Sequence, residues 1–148
     1  MVRPINNVDD ASSFKILRTP SVRVDDATQY ADHIADLIDT CTSDANCVGL
    51  ASSQIWNSSE IPPPRIFCAL LGHLWTIVIN PTSQRSGKRF IFSEGCMSRP
   101  GIKENVKRRE AIELIYYTID GSIVTKTFRG LDAIIVQHEM DHLAGKLI

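Results

Sequence analysis

The sequence predicts an α+β fold in which antiparallel sheets pack around a central metal-binding helix. Three observations predict it. Helical patterns at Ala27–Thr42 and Leu131–Ala144 bracket a middle that reads as strands. Asp120-Gly121, between two strand-like runs, is a hairpin signal and makes those strands antiparallel. The last helix carries His138 and His142, four residues apart and so on one face.

The elements follow in chain order. Met1–Phe14 is polar, lacks the apolar core of a secretory signal, and reads as a loose leader. Lys15–Val24 reads as extended, because Pro20 blocks a helix. Tyr30, Ile34, Leu37, Ile38 and Cys41 then recur at helical spacing, with Asp25 and Asp26 suited to the helix start. His33 lies beside that stripe as an ordinary helix histidine. Cys47–Gln54 is a small-residue stretch, and Trp56–Pro64, with three successive prolines, is a loop. Arg65–Leu71 and Leu74–Asn80 are β-like and meet at Gly72-His73. Lys88–Ser93 is a short strand candidate, and Glu110–Ile119 and Ser122–Phe128 flank the hairpin turn. Gly145 stops the last helix. No repeat or linker interrupts the chain, so residues 1–148 read as one domain.

Composition narrows the partners. The formal net charge of -1 gives no basic surplus for nucleic acid, and no apolar run approaches the roughly 20 residues of a membrane helix. Contact with a charged partner through a local patch is left open, because net charge says nothing about patches. Four cysteines, Cys41, Cys47, Cys68 and Cys96, are too few and scattered for a disulfide scaffold. They read as free thiols in a reducing, cytoplasmic compartment.

The chemistry concentrates in Gln137-His138-Glu139-Met140-Asp141-His142. His138 and His142 can present two imidazoles to one metal ion, while Glu139 projects to the side as a general base for a water. Ile134 and Ile135, one turn earlier, root that face in the core. A hydrolytic site takes three protein ligands and keeps one position open. After His142 the chain offers only Leu143–Ile148, with no good ligand, so the third comes from upstream. Cys96, in Glu94-Gly95-Cys96-Met97-Ser98, is the first candidate, since a glycine neighbour permits close approach. Cys47, Cys68, His33 and His73 stand behind it. The missing downstream ligand counts against a metallopeptidase with the same helix. A non-enzymatic module with a structural metal would not need Glu139.

Three segments together resemble the peptide deformylase family. Gln137–Gly145 matches its final motif throughout. Glu94–Ser98 matches its middle motif with Met97 in place of leucine. Cys47–Gln54 matches its first motif more loosely, with Gly49, Ala51 and Gln54 kept and Cys47 and Ser52 as departures. Ile16-Leu17-Arg18-Thr19-Pro20, Ile79-Asn80-Pro81, Pro100-Gly101 and Val106-Lys107-Arg108 are also similar to the family's. The resemblance runs from about Ile16 to the end. It implies a metal-dependent hydrolase that removes the formyl group from the initiator methionine of nascent polypeptides. Cys96, His138 and His142 would hold one divalent ion, with Fe²⁺ native and Zn²⁺, Ni²⁺ or Co²⁺ as substitutes. Glu139 would be the general base, and Gln54 and the Met97 N–H the oxyanion donors. Gly49, Leu50, Gly95, Phe92, Ile134 and Ile135 would line the substrate, and Glu94, Arg108 and Asp141 would support the ligands. The Cys47 and Ser52 departures keep a deacylase acting on another N-acyl group in view. Many members carry a further C-terminal helix, so this chain resembles a short form of organelle-derived or phage-encoded type and is expected to be a monomer.

Overall fold

In the computed structural model, which describes all residues from Met1 to Ile148, three helices surround one antiparallel sheet. The helices are α1 (Ala11–Leu17), α2 (Ala31–Thr42) and α3 (Gly130–Leu143). The strands are β1 (Gly49–Ala51), β2 (Ile66–Leu71), β3 (Leu74–Cys96), β4 (Arg99–Tyr117) and β5 (Ile123–Arg129). They pair in sequence order, each antiparallel to the next. The α+β class and its central helix are as the sequence predicts.

Strand β2 shows why the sheet is buried on both faces. Its run Ile66–Leu71 is apolar without alternation, as suits a strand covered twice. Phe67, Ala69 and Leu71 pack with Ile112, Phe128, Val136 and Leu143 on the α3 side. Ile66 and Cys68 pack with Leu37, Leu50 and Ile79 on the α2 side. Helix α3 is therefore enclosed, and nine of its residues are buried. It ends in a Schellman motif: Gly145 N–H donates to the His142 carbonyl and Lys146 N–H to the Asp141 carbonyl. Gly145 has φ 73°, and a Cβ there would lie 2.4 Å from the Arg18 carbonyl oxygen, so both conformation and space require glycine.

Three expectations are corrected. Residues 1–14 are not a loose leader. Asn6 N–H donates to the Gln54 carbonyl, Val8 N–H to the Ser98 carbonyl, and the Met1 amine pairs with Asp36 and Asp39. Lys15–Leu17 is helical rather than extended. The Asp10 side chain caps α1 through Ser13 N–H, and Pro20 lies beyond the helix end, where it blocks nothing. The short strands expected at Leu74–Asn80 and Lys88–Ser93 are one continuous β3, and β4 begins eleven residues before Glu110. Register shifts at Ile79/Thr82 and Ser86/Arg89 let β3 pass Pro81 and Gly87 without breaking.

Candidate active site

The metal-type cluster forms where the end of β3 meets α3. The side chains of Cys96, His138 and His142 offer ligand atoms that all lie within 4.8 Å of one another. His142 Nε2 is 3.3 Å from Cys96 Sγ and 3.2 Å from His138 Nε2. The i,i+4 spacing on α3 sets both imidazoles side by side. Cys96 reaches them because the β3–β4 connection is a tight turn at Met97 and Ser98, with Cys96 paired to Arg99 across it.

Charged neighbours fix the first histidine. His138 Nδ1–H donates to Glu94 Oε1 at 2.8 Å, which turns Nε2 toward Cys96 and His142. Arg108 grips Glu94 with two bonds of 2.6 and 2.7 Å and reaches Asp141 at 2.6 Å. Arg85 donates to the other Asp141 oxygen at 2.8 Å. Burial alone would raise the Glu94 carboxyl, but the bonds from Arg108 and His138 outweigh it and bring the group down to about 2. Burial pulls His138 down, yet hydrogen bonds to the Cys96 sulfur and Glu94 push it up to about 10. His142 shifts the other way, because burial and the neighbouring His138 hold its imidazole neutral.

Glu139 sits beside this cluster and is almost completely buried. Burial pushes its carboxyl up to about 7, against the pull of His138. Its Oε2 is buried without a hydrogen-bond partner, as is His142 Nδ1. A buried unpaired carboxylate oxygen costs free energy, and perturbed groups of this kind cluster at functional sites. Gln54 stands opposite, at the end of a 3-10 turn formed by Ser52–Gln54. Its Oε1 accepts from Ala51 N–H at 2.9 Å, so its amide nitrogen faces the site, 3.1 Å from Ser98 Oγ and 3.8 Å from Cys96 Sγ.

These residues open onto a cleft of about 700 Å³. Gly49, Gly95, Phe92, Met97, Ile134 and Ile135 all line it, as do Glu94, Cys96, His138 and Glu139. Leu50 does not. Strand residues alternate in direction, and Gly49 takes the side facing Glu139, so Leu50 points into the core beneath α2. Val48 and Leu131 line the cleft although the sequence reading did not name them. Leu131 lies three and four residues before Ile134 and Ile135, so helical spacing could have found it. Ser98 and Arg85 were also missed. Arg85 lies 56 residues from Asp141, and no local pattern announces that pair.

The other candidate ligands lie elsewhere. His33 bonds Ser52 Oγ through Nε2 at 2.9 Å. His73 is exposed in the β2–β3 turn, and Cys68 is buried in the core. Cys47 forms a disulfide with Cys41, which corrects the reading of four free thiols. The turn after α2 brings their Cα atoms to 5.4 Å, within bridging range. Cys68 and Cys96 remain free.

Known proteins share both sequence and shape with this chain. The sequence model described as polypeptide deformylase matches residues 2–148. A peptide deformylase of Dictyoglomus thermophilum is 35% identical over 150 residues, covering 100% of this chain and 91% of that protein. One from Clostridium beijerinckii is 36% identical over 116 residues, covering 78% and 81%. The crystal structure of peptide deformylase from Thermotoga maritima superposes with a TM-score of 0.87 at 28% identity, over 99% of this chain and 95% of that one. A match across nearly the whole chain, with the Cys-His-His cluster assembled, shows that the chain belongs to the polypeptide deformylase family of metal-dependent hydrolases.

Proposed function

We propose that this enzyme frees formate from N-formyl-methionyl peptides using Cys96, His138 and His142 as metal ligands and Glu139 as its proton carrier. The observation that carries this reading is the convergence of those three ligand atoms beside a buried carboxylate with an unpartnered oxygen. One thiolate and two imidazoles suit Fe²⁺, Zn²⁺, Ni²⁺ or Co²⁺, and we take Fe²⁺ as the native ion. When bound, such an ion supplies Lewis acidity and brings a water's pKa toward neutrality.

The chain's own groups do the rest. Glu139 takes the proton of the attacking water at its carboxylate and later gives it to the departing amine. Burial raises this carboxyl above the usual carboxylate range, which favours its holding the proton between the two transfers. The formyl oxygen gains negative charge as its carbon becomes tetrahedral. Gln54 Nε2 and the Met97 N–H meet that charge, and the Ala51 bond keeps the Gln54 amide from turning over. The methionine side chain enters the apolar slot of Phe92, Ile134 and Ile135. Gly49 and Gly95 let the peptide backbone approach. Glu94, Arg108 and Asp141 keep the ligands aimed.

The protein works as one catalytic domain and as a monomer, and it meets new chains at the ribosome. No helix is long and apolar enough to cross a membrane. The test is formate release from formyl-Met-Ala-Ser, with metal content measured on the same sample. Formate should appear with the peptide bonds intact. Peptide-bond cleavage without formate, or release of acetyl but not formyl groups, would overturn the reading.

A further inference from the structure

The charges of this chain are segregated. Residues 1–60 carry nine acids and four Lys or Arg, whereas residues 61–148 carry twelve Lys or Arg and eight acids. Such asymmetry points toward a charged partner that the net charge conceals. The register of β3 against β4 shows where the cations lie, because directly paired residues share a face. Phe90↔Arg108, Phe92↔Val106 and Glu94↔Glu104 belong to the face that carries the Glu94–Arg108 ion pair beneath α3. Arg89↔Arg109, Ile91↔Lys107, Ser93↔Asn105 and Gly95↔Lys103 take the opposite, outer face.

That outer face is solvent-exposed at every one of these positions except the half-buried Arg109. Arg129 of β5, paired with Ala111, extends it. Five cations therefore share one face: Arg89, Lys103, Lys107, Arg109 and Arg129. No acid lies among the four outer-face pairs, and none of the five cations enters an ion pair of the structure. Arg109 spends its Nε on the Gly87 carbonyl and keeps its outer nitrogens. From Lys103 to Arg109 the row is about 20 Å long at roughly 3.3 Å per strand residue. Unpaired like charges repel and cost stability, so a row of them without acids fits a surface that meets a polyanion.

We infer that this outer face of the β3–β4 ribbon binds the phosphodiester backbone of RNA. A twisted two-stranded ribbon with cations at alternate positions suits phosphates, which position a protein without reading sequence. A lipid surface fits less well. Among the four pairs only Ile91 offers an apolar side chain, too little for insertion at a bilayer interface. The face also adjoins the cleft, since Gly95 and Lys103 line its mouth. The use of the surface rests on the deformylase reading: a substrate still tethered to the ribosome lies close to RNA. Binding there would raise the local concentration of formylated N-termini at the cleft.

The test is fluorescence anisotropy with a labelled RNA hairpin of about 20 base pairs, long enough to offer successive phosphate rows. With four phosphates engaged, affinity should fall about a hundredfold between about 50 and about 200 mM salt. The double variant Arg89→Glu/Lys107→Glu should lose at least about tenfold in affinity at low salt, while Lys146→Glu should match the wild type. Formate release from short formyl peptides should be unchanged in the double variant, which also shows that it is folded. Equal RNA affinity of wild type and double variant would overturn the inference. So would no RNA binding at low salt, or binding to phosphatidylserine vesicles in preference to RNA. A protein that binds RNA through this face but releases no formate overturns the deformylase reading and leaves this one standing.

Discussion

The backbone of Gly49 lies so close to Glu139 that a Cβ on Gly49 would stand 2.7 Å from Oε1 and 3.1 Å from the carboxyl carbon. The contact joins β1 to α3 at the centre of the site. Gly49 is not in the left-handed region, so an alanine there is not strained by its backbone. The cost falls on the glutamate, which must move. A displacement near 1 Å at a reacting group can cost about a hundredfold in rate. Gly49→Ala should therefore fold and bind metal normally while kcat falls by about that factor. Steady-state kinetics and metal analysis on one preparation check this, and an unchanged kcat would remove the positional role of Gly49.

Glu139→Gln keeps the shape and removes the proton carrier. Metal content should stay at the wild-type level, because Cys96, His138 and His142 are untouched. Turnover should drop by at least about a hundredfold, the low end for a lost general base. Near wild-type formate release from this variant would mean that another group moves the proton.

The two free cysteines allow a direct comparison of ligand and core roles. Cys96 lies 3.3 Å from His142 Nε2, whereas Cys68 is buried beneath α2, where desolvation pushes its thiol up to about 12. Cys96→Ser should lose metal affinity sharply, because an alcohol replaces a thiolate ligand. Cys68→Ser should keep its metal and lose stability. With Co²⁺ bound, the sulfur-to-metal charge-transfer band should vanish in the first variant and persist in the second. A band that survives Cys96→Ser would place the thiolate ligand elsewhere.

Much of the site was legible in the sequence because helical spacing is a geometric statement. His138 and His142 follow from the i,i+4 rule, Glu139 from the motif between them, and Leu131 from the same helical spacing. Cys96 was reached by elimination and resemblance, and the tight turn at Met97-Ser98 is what carries it to the histidines. What could not be read was long-range. The Arg85–Asp141 pair spans 56 residues. The full length of β3 was hidden because Thr82–Lys88 is polar and carries a glycine, yet it pairs with β4 on both sides of a bulge. Leu50 is not in the cleft because Gly49 takes the side facing Glu139, and a three-residue strand gives no alternation from which the sequence could show this.

The Cys41–Cys47 bridge predicts a thiol count. Under denaturing, non-reducing conditions the protein should titrate two thiols, Cys68 and Cys96, and four after reduction. The bridge ties the end of α2 to the segment entering β1, and Cys47 and Gly49 both line the cleft. Closing even a short loop restricts the unfolded chain, so reduction should lower the unfolding midpoint. Four thiols in the unreduced protein would show that the pair is open in solution.

His33 makes stability depend on acid. Burial pulls its pKa from 6.5 down to about 4; Asp36 pulls it upward and Arg3 pushes it lower. Edge-on contact with Trp56 and the bond to Ser52 Oγ hold the ring in place. Ser52 Oγ donates its hydrogen to the Ile66 carbonyl, so the neutral ring donates from Nε2. Between about pH 6.5 and about 4 the unfolded chain carries a proton on His33 that the folded chain refuses. Stability from this residue is therefore full above pH 6.5 and is lost as pH falls toward 4. The loss is roughly 2–3 kcal/mol, from about 1.4 kcal/mol per unit less an allowance for residual solvent contact. His33→Gln keeps a donor for Ser52 and cannot take up the proton. Urea midpoints of wild type and variant, measured from pH 7 down to about 4.5, should diverge as the wild type weakens faster. Carboxylates titrate alike in both proteins, so the difference isolates the histidine, and parallel curves would show that His33 is not desolvated as its surroundings imply.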